Sequence, residues 1–199
     1  DLSEKLKQLS NDNNVSLFVV LLTAFKILLQ RYSDSDDILV GTEVANRNRP
    51  ETAEMIALLV NTLVLRTDLS GNPTFRELTQ RVRDSVLGGL ANQELPFEKL
   101  VQSINPERDL EQLTPLFQVK FDLQQVDVSS VHIEGLTLER FAIEERQTKY
   151  ALRFNLQQSH HEITGKIEYS TELFNASTIE RMAGHFESLL RSAIAQPDK

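Results

Sequence analysis

Several residue types that carry chemistry or anchor a chain are absent from these 199 residues. There is no cysteine, which excludes disulfides, thiolate metal sites and cysteine nucleophiles together and is typical of a cytoplasmic protein. No apolar run approaches the roughly 20 residues of a membrane span, so we expect no membrane-embedded protein. Neither a signal peptide nor an initiator methionine is visible, and the chain starts at Asp1 within a helical pattern. We therefore expect a piece of a longer polypeptide.

The charge balance narrows the class of partner. Asp and Glu number 29 against 21 Lys and Arg, which sets the formal net charge at −8. A chain of that sign repels nucleic acid and anionic lipid, so we expect neither as its main partner. Hydrophobic residues make up 40% and charged residues 25%, as in soluble globular domains.

The apolar patterns predict a fold that combines strands with helices. Helical spacing marks residues 1–10, 17–33, 75–90, 97–103 and 178–194. Strand-like runs lie at residues 38–45, 55–66, 116–123, 136–141, 150–156 and 163–169. This order predicts a single lobe over residues 1–199, of the α/β (α+β) class, with a mixed β-sheet covered by helices.

The longest apolar run, residues 55–66, reads MIALLVNTLVLR and predicts a strand buried on both faces. Asn61 and Thr62 lie in its middle, and a buried amide without partners costs about 1–3 kcal/mol. One interpretation is structural, with the Asn61 side chain pairing with neighbouring backbone. The other is that the strand borders a cavity in which something polar is held.

Two further segments carry polar residues that admit a structural and a functional interpretation. Arg47 and Arg49 lie in a loop, where they either pair with nearby groups or contact an anion such as phosphate. Residues 92–98 read NQELPFE after a helix. There Pro96 is suited to begin a short helix, with Phe97 as the apolar plug of a connection.

The histidines do not form a recognisable catalytic or metal motif. His160 and His161 are adjacent, and neighbours in an extended segment point in opposite directions, so an exposed turn is favoured over a metal site. The sequence contains no nucleophile elbow, zinc-protease, P-loop or dinucleotide motif. The residues by themselves therefore predict neither a metal nor a catalytic site.

Five segments together resemble the carboxy-terminal half of a condensation domain from nonribosomal peptide synthetases. Residues 56–66 resemble the family's Ile-Gly-x-Phe-Val-Asn-Thr…Arg motif, and residues 92–98 resemble its His-Gln-Asp-x-Pro-Phe-Glu motif. The other matching segments, in family order, are residues 37–50, 108–119 and 174–182. The departures are Ala57 and Leu58 for Gly and Phe, Asn92 and Glu94 for His and Asp, and Ala151 for an Asp.

The resemblance implies two lobes, each similar to chloramphenicol acetyltransferase, with a tunnel between them. The implied reaction is amide formation between an acyl donor and an aminoacyl acceptor, each tethered by phosphopantetheine to a peptidyl carrier protein. The implied partners are an amino-terminal lobe, carrier proteins and adjoining synthetase domains. The family's catalytic His-His-x-x-x-Asp-Gly signature belongs to that other lobe and is absent here, since Gly165 and Lys166 follow His160 and His161 where Asp and Gly are needed.

The resemblance also implies roles for residues of this chain, with no catalytic residue and no metal or directly bound cofactor among them. These are tunnel or structural residues (Asn61, Thr62, Arg66, Gln93, Pro96, Phe97 and Glu98) and phosphate or interlobe contacts (Arg47 and Arg49). The isolated chain is then expected to be inactive. The alternatives are a non-catalytic carrier-protein interaction module and a separate acyltransferase lobe acting on coenzyme A thioesters.

Overall fold

The computed structural model describes residues 1–104, 114–125, 148–159 and 162–199. The elements in chain order are α1 (Leu2–Asp12), α2 (Leu17–Ser33), β1 (Asp37–Val44), α3 (Pro50–Ala53), β2 (Asn61–Asp68), α4 (Phe75–Ala91), α5 (Phe97–Ile104), β3 (Val119–Gln125), β4 (Leu152–Gln158), β5 (Ile163–Tyr169) and α6 (Ala176–Ala195). The predicted strand at residues 136–141, the residue pair His160 and His161, and part of the motif at residues 108–119 lie outside the described residues.

Local sequence signals explain where the helices begin and end. Ser16 caps α2, because its hydroxyl accepts a hydrogen bond from the backbone N–H of Val19 at 3.3 Å. Thr74 and Glu77 form both halves of a capping box at the start of α4. Asp34 ends α2 in the left-handed region with φ 53°. These predicted boundaries are confirmed.

The strands form one mixed sheet with the order β2-β1-β3-β4-β5. β1 pairs with β2 and β4 pairs with β5 in antiparallel fashion, whereas β1–β3 and β3–β4 are parallel. Gly41 of β1 lies opposite Lys120 of β3. The predicted mixed sheet covered by helices is confirmed, and the predicted strands at residues 150–156 and 163–169 form an antiparallel hairpin, β4 and β5.

The prediction of a doubly buried strand over residues 55–66 is wrong. The strand begins at Asn61, and only alternate residues such as Leu63 and Leu65 are buried. β2 ends the sheet order, and an edge strand packed on one face needs no continuous apolar sequence. The apolar residues before it, including Ile56 and Leu58, are exposed. Asn61 therefore begins the strand instead of lying in its middle.

Four phenylalanines centre the core on one face of the sheet, which we call the inner face. The ring of Phe25 in α2 lies 5.1 Å from Phe121 of β3 and 4.6 Å from Phe154 of β4. Phe186 of α6 meets Phe154 edge-on at 5.5 Å. Neighbouring residues of a strand point to opposite sides, so Lys120, Asp122 and Arg153 lie on the other side. We call that side the outer face.

Lys26 is fully buried on the inner face among uncharged acceptors. Its Nζ donates to the carbonyl oxygens of Leu65 at 2.6 Å and Ile38 at 3.3 Å, and to Thr67 Oγ1 at 2.9 Å. Burial lowers the pKa of Lys26 from 10.5 to about 7, although the Asp37 carboxylate acts in the opposite direction. These contacts tie α2 to the β1–β2 pair.

No single helix among the described residues is long and apolar enough to cross a membrane. α1 and α2 meet that test only together, as a pair bent by 103°. In this fold, α2 is largely buried by the protein itself, as expected of a helix at the centre of a core.

Candidate functional site

Asn61 joins the start of β2 to the connection between α4 and α5. Its Nδ2 donates to the carbonyl oxygens of Gln93 at 2.8 Å and Leu95 at 2.7 Å. Its Oδ1 accepts from the backbone N–H groups of Thr62 at 2.9 Å and Phe97 at 3.1 Å. An amide side chain offers two donors and two main acceptor directions, and here all four are used by backbone groups.

These four bonds favour the structural interpretation of Asn61. The Asn61 side chain links two distant segments of backbone. It bonds to the carbonyl oxygens and the N–H group of residues that lie 32 to 36 positions away in sequence. No hydrogen-bonding capacity is left for a ligand in this arrangement. A role for Asn61 beside a tunnel would therefore be indirect, through the position of α5.

Phe97, the first residue of α5, begins an aromatic row across the outer face. Its ring meets Phe117 edge-on at 5.7 Å, and Phe117 stacks on Tyr150 at 5.8 Å. The Phe117 ring lies on Gly41 so closely that a Cβ at that position would clash with it. Glycine is thus required in β1 for the row to form. The row fixes α5 relative to the centre of the sheet.

Charged side chains continue this row along the outer face. Lys120 is only 1% exposed, and its Nζ pairs with Glu43, lies 3.4 Å from Asp122 Oδ2 and sits 5.2 Å from the centre of the Tyr150 ring. Asp122 Oδ2 also accepts from Arg153 Nε at 3.0 Å. Asp122 Oδ1 accepts from the backbone N–H of Glu43 at 3.2 Å. The network holds β1, β3 and β4 together by side chains as well as by backbone.

The network changes how readily Arg153 ionises. Burial acts to lower the pKa of the Arg153 guanidinium, but Asp122 and the neighbouring Glu168 and Glu43 outweigh it, and the pKa is raised. Arg153 therefore stays charged and serves as a fixed partner for Asp122. A buried carboxylate without such a partner would be costly.

Arg66 lies at the far end of β2, roughly 17 Å from Asn61 for five residues of extended strand. Its Nε and Nη2 each donate to the Asp37 carboxylate at 2.9 Å. The hydrogen bonds from Arg66 lower the pKa of Asp37, and the carboxylate in turn raises the pKa of Arg66. The structure thus does not bring Arg66 together with the other predicted site residues.

Arg47 and Arg49 are both engaged by the protein. The Arg47 guanidinium donates to the carbonyl oxygens of Thr52, of Met55 at 2.9 Å and of Ala57 at 3.1 Å. Arg49 pairs with Glu94 at 3.3 Å. These contacts favour the structural interpretation over the phosphate contact for both arginines, and a contact of either with another lobe stays a prediction.

The remaining predicted residues surround the start of α5. Gln93 contributes its carbonyl oxygen to Asn61 and donates from Nε2 to the Leu90 carbonyl at 2.9 Å. The Pro96 carbonyl accepts from Lys99 N at 2.9 Å, which begins α5 where the sequence predicts it. Glu98 is exposed in the first turn, a favourable place for a carboxylate. Asn61, Gln93, Pro96, Phe97 and Glu98 thus form one cluster.

A cleft of about 540 Å³ opens where β1 and β3 end. Its walls include apolar side chains of α2, β2 and α4. Glu43 and Asp122 of the charged network also line it. The ends of adjacent parallel strands are a common place for ligands in sheets with helices. Among the described residues, no three His, Cys, Asp or Glu side chains could hold a metal ion.

Comparison with known families shows which family this chain belongs to. The whole of residues 1–199 matches the family model described as "Condensation domain". The chain belongs to the condensation-domain family. A linear gramicidin synthase of Brevibacillus parabrevis is 44% identical to it over 199 residues, which is 99% of this chain and 3% of that protein. Malpinin synthetase of Mortierella alpina is 41% identical over 190 residues, which is 96% of this chain and 2% of that protein.

Solved structures share the fold of this condensation-domain chain. A four-domain nonribosomal peptide synthetase bound to AMP and glycine has a TM-score of 0.90 at 22% identity, covering 100% of this chain and 16% of the other. The condensation domain from monacolin K polyketide synthase has a TM-score of 0.85 at 20% identity, covering 99% of this chain and 45% of the other. The chain thus spans less than half of either solved chain and a small part of the curated relatives.

The buried charged network on the outer face of this condensation-domain chain was not predicted from the sequence. Lys120 and Asp122 alternate with apolar residues in β3, which indicates a solvated face, yet both are buried. A sequence signal for this network was present. The basic Lys120 and Arg153 and the acidic Asp122 lie on strands that were expected to share a sheet. The sequence held no comparable signal for the ring contacts of Phe97 or for the close approach of the Phe117 ring to Gly41.

Proposed function

We propose that this chain is the carboxy-terminal lobe of a nonribosomal peptide synthetase condensation domain. Completed by an amino-terminal lobe, it forms an amide between a carrier-bound acyl donor and a carrier-bound aminoacyl acceptor. The observation that carries this proposal is the family match over residues 1–199. It is supported by the coverage of a solved condensation domain, of which this chain spans 45%.

This chain leaves more than half of that solved domain uncovered, which supports the existence of a second lobe. We assign the groups that handle protons to that lobe. In amide formation the acceptor nitrogen attacks the thioester carbonyl carbon, the C–N bond forms, the C–S bond breaks and the thiol of the donor carrier leaves. The amine must lose a proton, and both reactants must be held in place. The sequence lacks the family's His-His-x-x-x-Asp-Gly signature, so this lobe's contribution is placement.

Placement would come from the braced elements of the outer face. Asn61 and the Phe97–Phe117 contact fix the start of α5, and Lys120 and Asp122 fix the strands beside the cleft. The phosphopantetheine arms are parts of the two substrates and belong to carrier proteins in the cytoplasm. Rigid placement matters because a shift of about 1 Å in a reactant can cost about 100-fold in rate.

Reconstitution tests the proposal directly. The protein that contains residues 1–199 would be supplied with one carrier loaded with an acyl thioester and another loaded with an aminoacyl thioester, and amide product would be measured by mass spectrometry. We expect product from the complete condensation domain and none above the uncatalysed background from residues 1–199 alone. Product from the isolated chain would overturn the assignment to a single inactive lobe.

A non-catalytic interaction module makes the opposite prediction for the complete protein. It would bind carrier proteins while forming no amide with any loaded pair. Docking without product, in a preparation whose carriers are shown to be loaded, would favour that alternative.

A further inference from the structure

The chain after α6 folds back over the start of α4. We call residues 196–199 the strap. The carbonyl oxygens of Lys199 and Pro197 accept hydrogen bonds from the backbone N–H groups of Phe75 at 3.3 Å and Arg76 at 3.0 Å. The first N–H groups of a helix have no acceptor within that helix. The strap therefore supplies α4 with two acceptors that its own turns cannot provide.

Arg76 holds the strap with one side of its guanidinium and the body of the protein with the other. Its Nε donates to Asp198 Oδ1 at 2.6 Å, and its Nη2 lies 3.5 Å from Asp198 Oδ2. Its Nη1 donates to Asn13 Oδ1 at 2.5 Å. Asn13, at the end of α1, is buried, whereas the Asp198 side chain is 73% exposed. Arg76 therefore keeps a buried partner even when Asp198 moves away.

The strap borders a cavity of about 520 Å³ that lies between α2, the start of α4 and the end of α6. Gln196 and Lys199 of the strap contribute to its wall. The apolar residues of the lining are Ile27, Leu69, Phe75, Leu78, Leu189 and Ala193. Phe75 and Leu78 are only 7% and 3% exposed. The strap thus forms one wall of a cavity that contains apolar side chains from three helices.

The strap is held by few contacts. Its residues are exposed except for the half-buried Pro197, so no large apolar side chain anchors it. Exposed ion pairs such as that of Arg76 and Asp198 add little to stability. A segment with few buried apolar contacts opens locally at a free energy well below that of global unfolding. The capping box of Thr74 and Glu77 stays at the start of α4, so the helix can persist when the strap leaves.

We propose that the strap is a lid, held closed by the pairing of Arg76 with Asp198, that opens locally and exposes the cavity between α2, α4 and α6. Opening breaks this ion pair and the two hydrogen bonds from α4 to the strap, and it leaves Arg76 bound to Asn13. α4 stays helical, since Thr74 and Glu77 still cap it. The lid is independent of the proposed function, because neither a second lobe nor amide formation enters its opening.

The test uses the full protein that contains residues 1–199, with an Asp198→Lys variant that replaces attraction to Arg76 by repulsion. Asp198 is exposed, so the variant should fold. Hydrogen exchange resolved to single amides by mass spectrometry would report on the start of α4. We expect the N–H groups of Phe75 and Arg76 to exchange about tenfold faster or more, because the strap carbonyls are their acceptors. Unchanged exchange at these two groups would overturn the lid.

The next residue along α4 provides an internal reference. The Glu77 N–H donates to Thr74 Oγ1 at 3.2 Å, a contact in which the strap takes no part. Its exchange rate should therefore stay the same in Asp198→Lys. Equal acceleration at Glu77 would overturn the lid, because α4 itself would then be opening.

Two further measurements separate a lid from a simple helix cap. The dye anilinonaphthalene sulfonate binds exposed apolar surface, and Asp198→Lys should bind more of it than wild type. Sodium chloride at about 1 M shortens the Debye length to about 3 Å. It should speed exchange at Phe75 and Arg76 in wild type while Asp198→Lys changes little. Faster exchange without added dye binding would overturn the lid, since the strap would then cap α4 without covering the cavity.

Glu94→Lys is the matched control. It makes the same change of charge and removes the exposed partner of Arg49, but it lies in the connection after α4, at the opposite end of that helix from the strap. Its exchange at the start of α4 and its dye binding should stay within about twofold of wild type, as surface changes usually do. A similar gain in dye binding in both variants would overturn the lid, because added positive charge would then explain the gain.

Discussion

The two faces of the sheet each bury a lysine, but they surround it differently. On the inner face, Lys26 meets two carbonyl oxygens and a hydroxyl. On the outer face, Lys120 meets the carboxylates of Glu43 and Asp122. In β3 the apolar Phe121 and its neighbours Lys120 and Asp122 are all at most 5% exposed. In β3, polarity therefore decides the partners of these side chains and not whether they are buried.

The difference predicts two kinds of fragility. The inner face depends on close packing, in which each lost contact leaves a cavity. The outer face depends on the pairing of every buried charge, because removing one charged side chain leaves its buried partner without a counter-charge. Three substitutions test this contrast, taken in decreasing order of the expected loss, and the pH dependence that Lys26 confers tests it last.

Phe25→Ala should be the most disruptive change on the inner face. Phe25 is fully buried and contacts Phe121, Phe154 and Phe186, so we expect a loss of about 3–5 kcal/mol in the free energy of unfolding. Urea unfolding followed by circular dichroism measures it. Phe25→Leu should lose much less, and equal losses would show that volume is not what the inner face depends on.

Asp122→Ala should be the corresponding change on the outer face. It leaves Lys120 and Arg153 without a shared carboxylate, and breaking a buried pair costs about 3 kcal/mol or more. The control is Glu187→Ala, which removes the exposed partner of Arg191 on α6. Urea unfolding should separate the two variants clearly. Equal, small losses would mean that water enters the outer face and that pairing is dispensable there.

Asn61 tests pairing by a neutral group. Asn61→Ala leaves two carbonyls and the Phe97 N–H without their partner, at a cost of about 1–3 kcal/mol. Asn61→Asp should be no better, because a carboxylate oxygen would face the Gln93 and Leu95 carbonyls. Hydrogen exchange in residues 93–104 reports on the start of α5. Asn92→Ala is the matched control, and faster exchange there too would remove Asn61's special role.

Lys26 makes the inner face sensitive to pH. Its pKa is about 7 in the folded protein against 10.5 as the ordinary value, so between these limits the unfolded chain holds a proton that the folded one has released. The free energy of unfolding should then rise with pH through this window, by roughly 1 kcal/mol per pH unit. Below pH 7 the full cost of burying the charge is present.

The measurement compares urea unfolding of wild type and Lys26→Met at several pH values between 7 and 10. The difference between the two proteins should change steadily across this range, since only wild type carries the group. A constant difference would show that the Lys26 charge is accommodated by its three oxygen acceptors.

Sequence patterns predicted most of the fold but only part of the site. The helices predicted at residues 17–33 and 75–90 are confirmed and begin after the local caps Ser16 and Thr74, and the predicted strands at residues 150–156 and 163–169 are confirmed as β4 and β5. The prediction of one buried strand over residues 55–66 was wrong because most apolar side chains of residues 55–60 are exposed, whereas Leu63 and Leu65 are buried. Periodicity records how residues alternate along one segment, and it carries no information about which second surface, if any, covers them.

Residue order alone determined most of the helices and strands and the family, because capping groups, alternation and motif spacing act over a few neighbouring residues. Only the tertiary structure decided that Asn61 braces α5, that Arg47 binds the backbone before β2 and that Lys120 is buried. Each of these depends on groups that the chain brings together from distant positions, such as Asn61 and Phe97. A hydrogen bond or ion pair forms by distance in space, and the local pattern does not encode that distance.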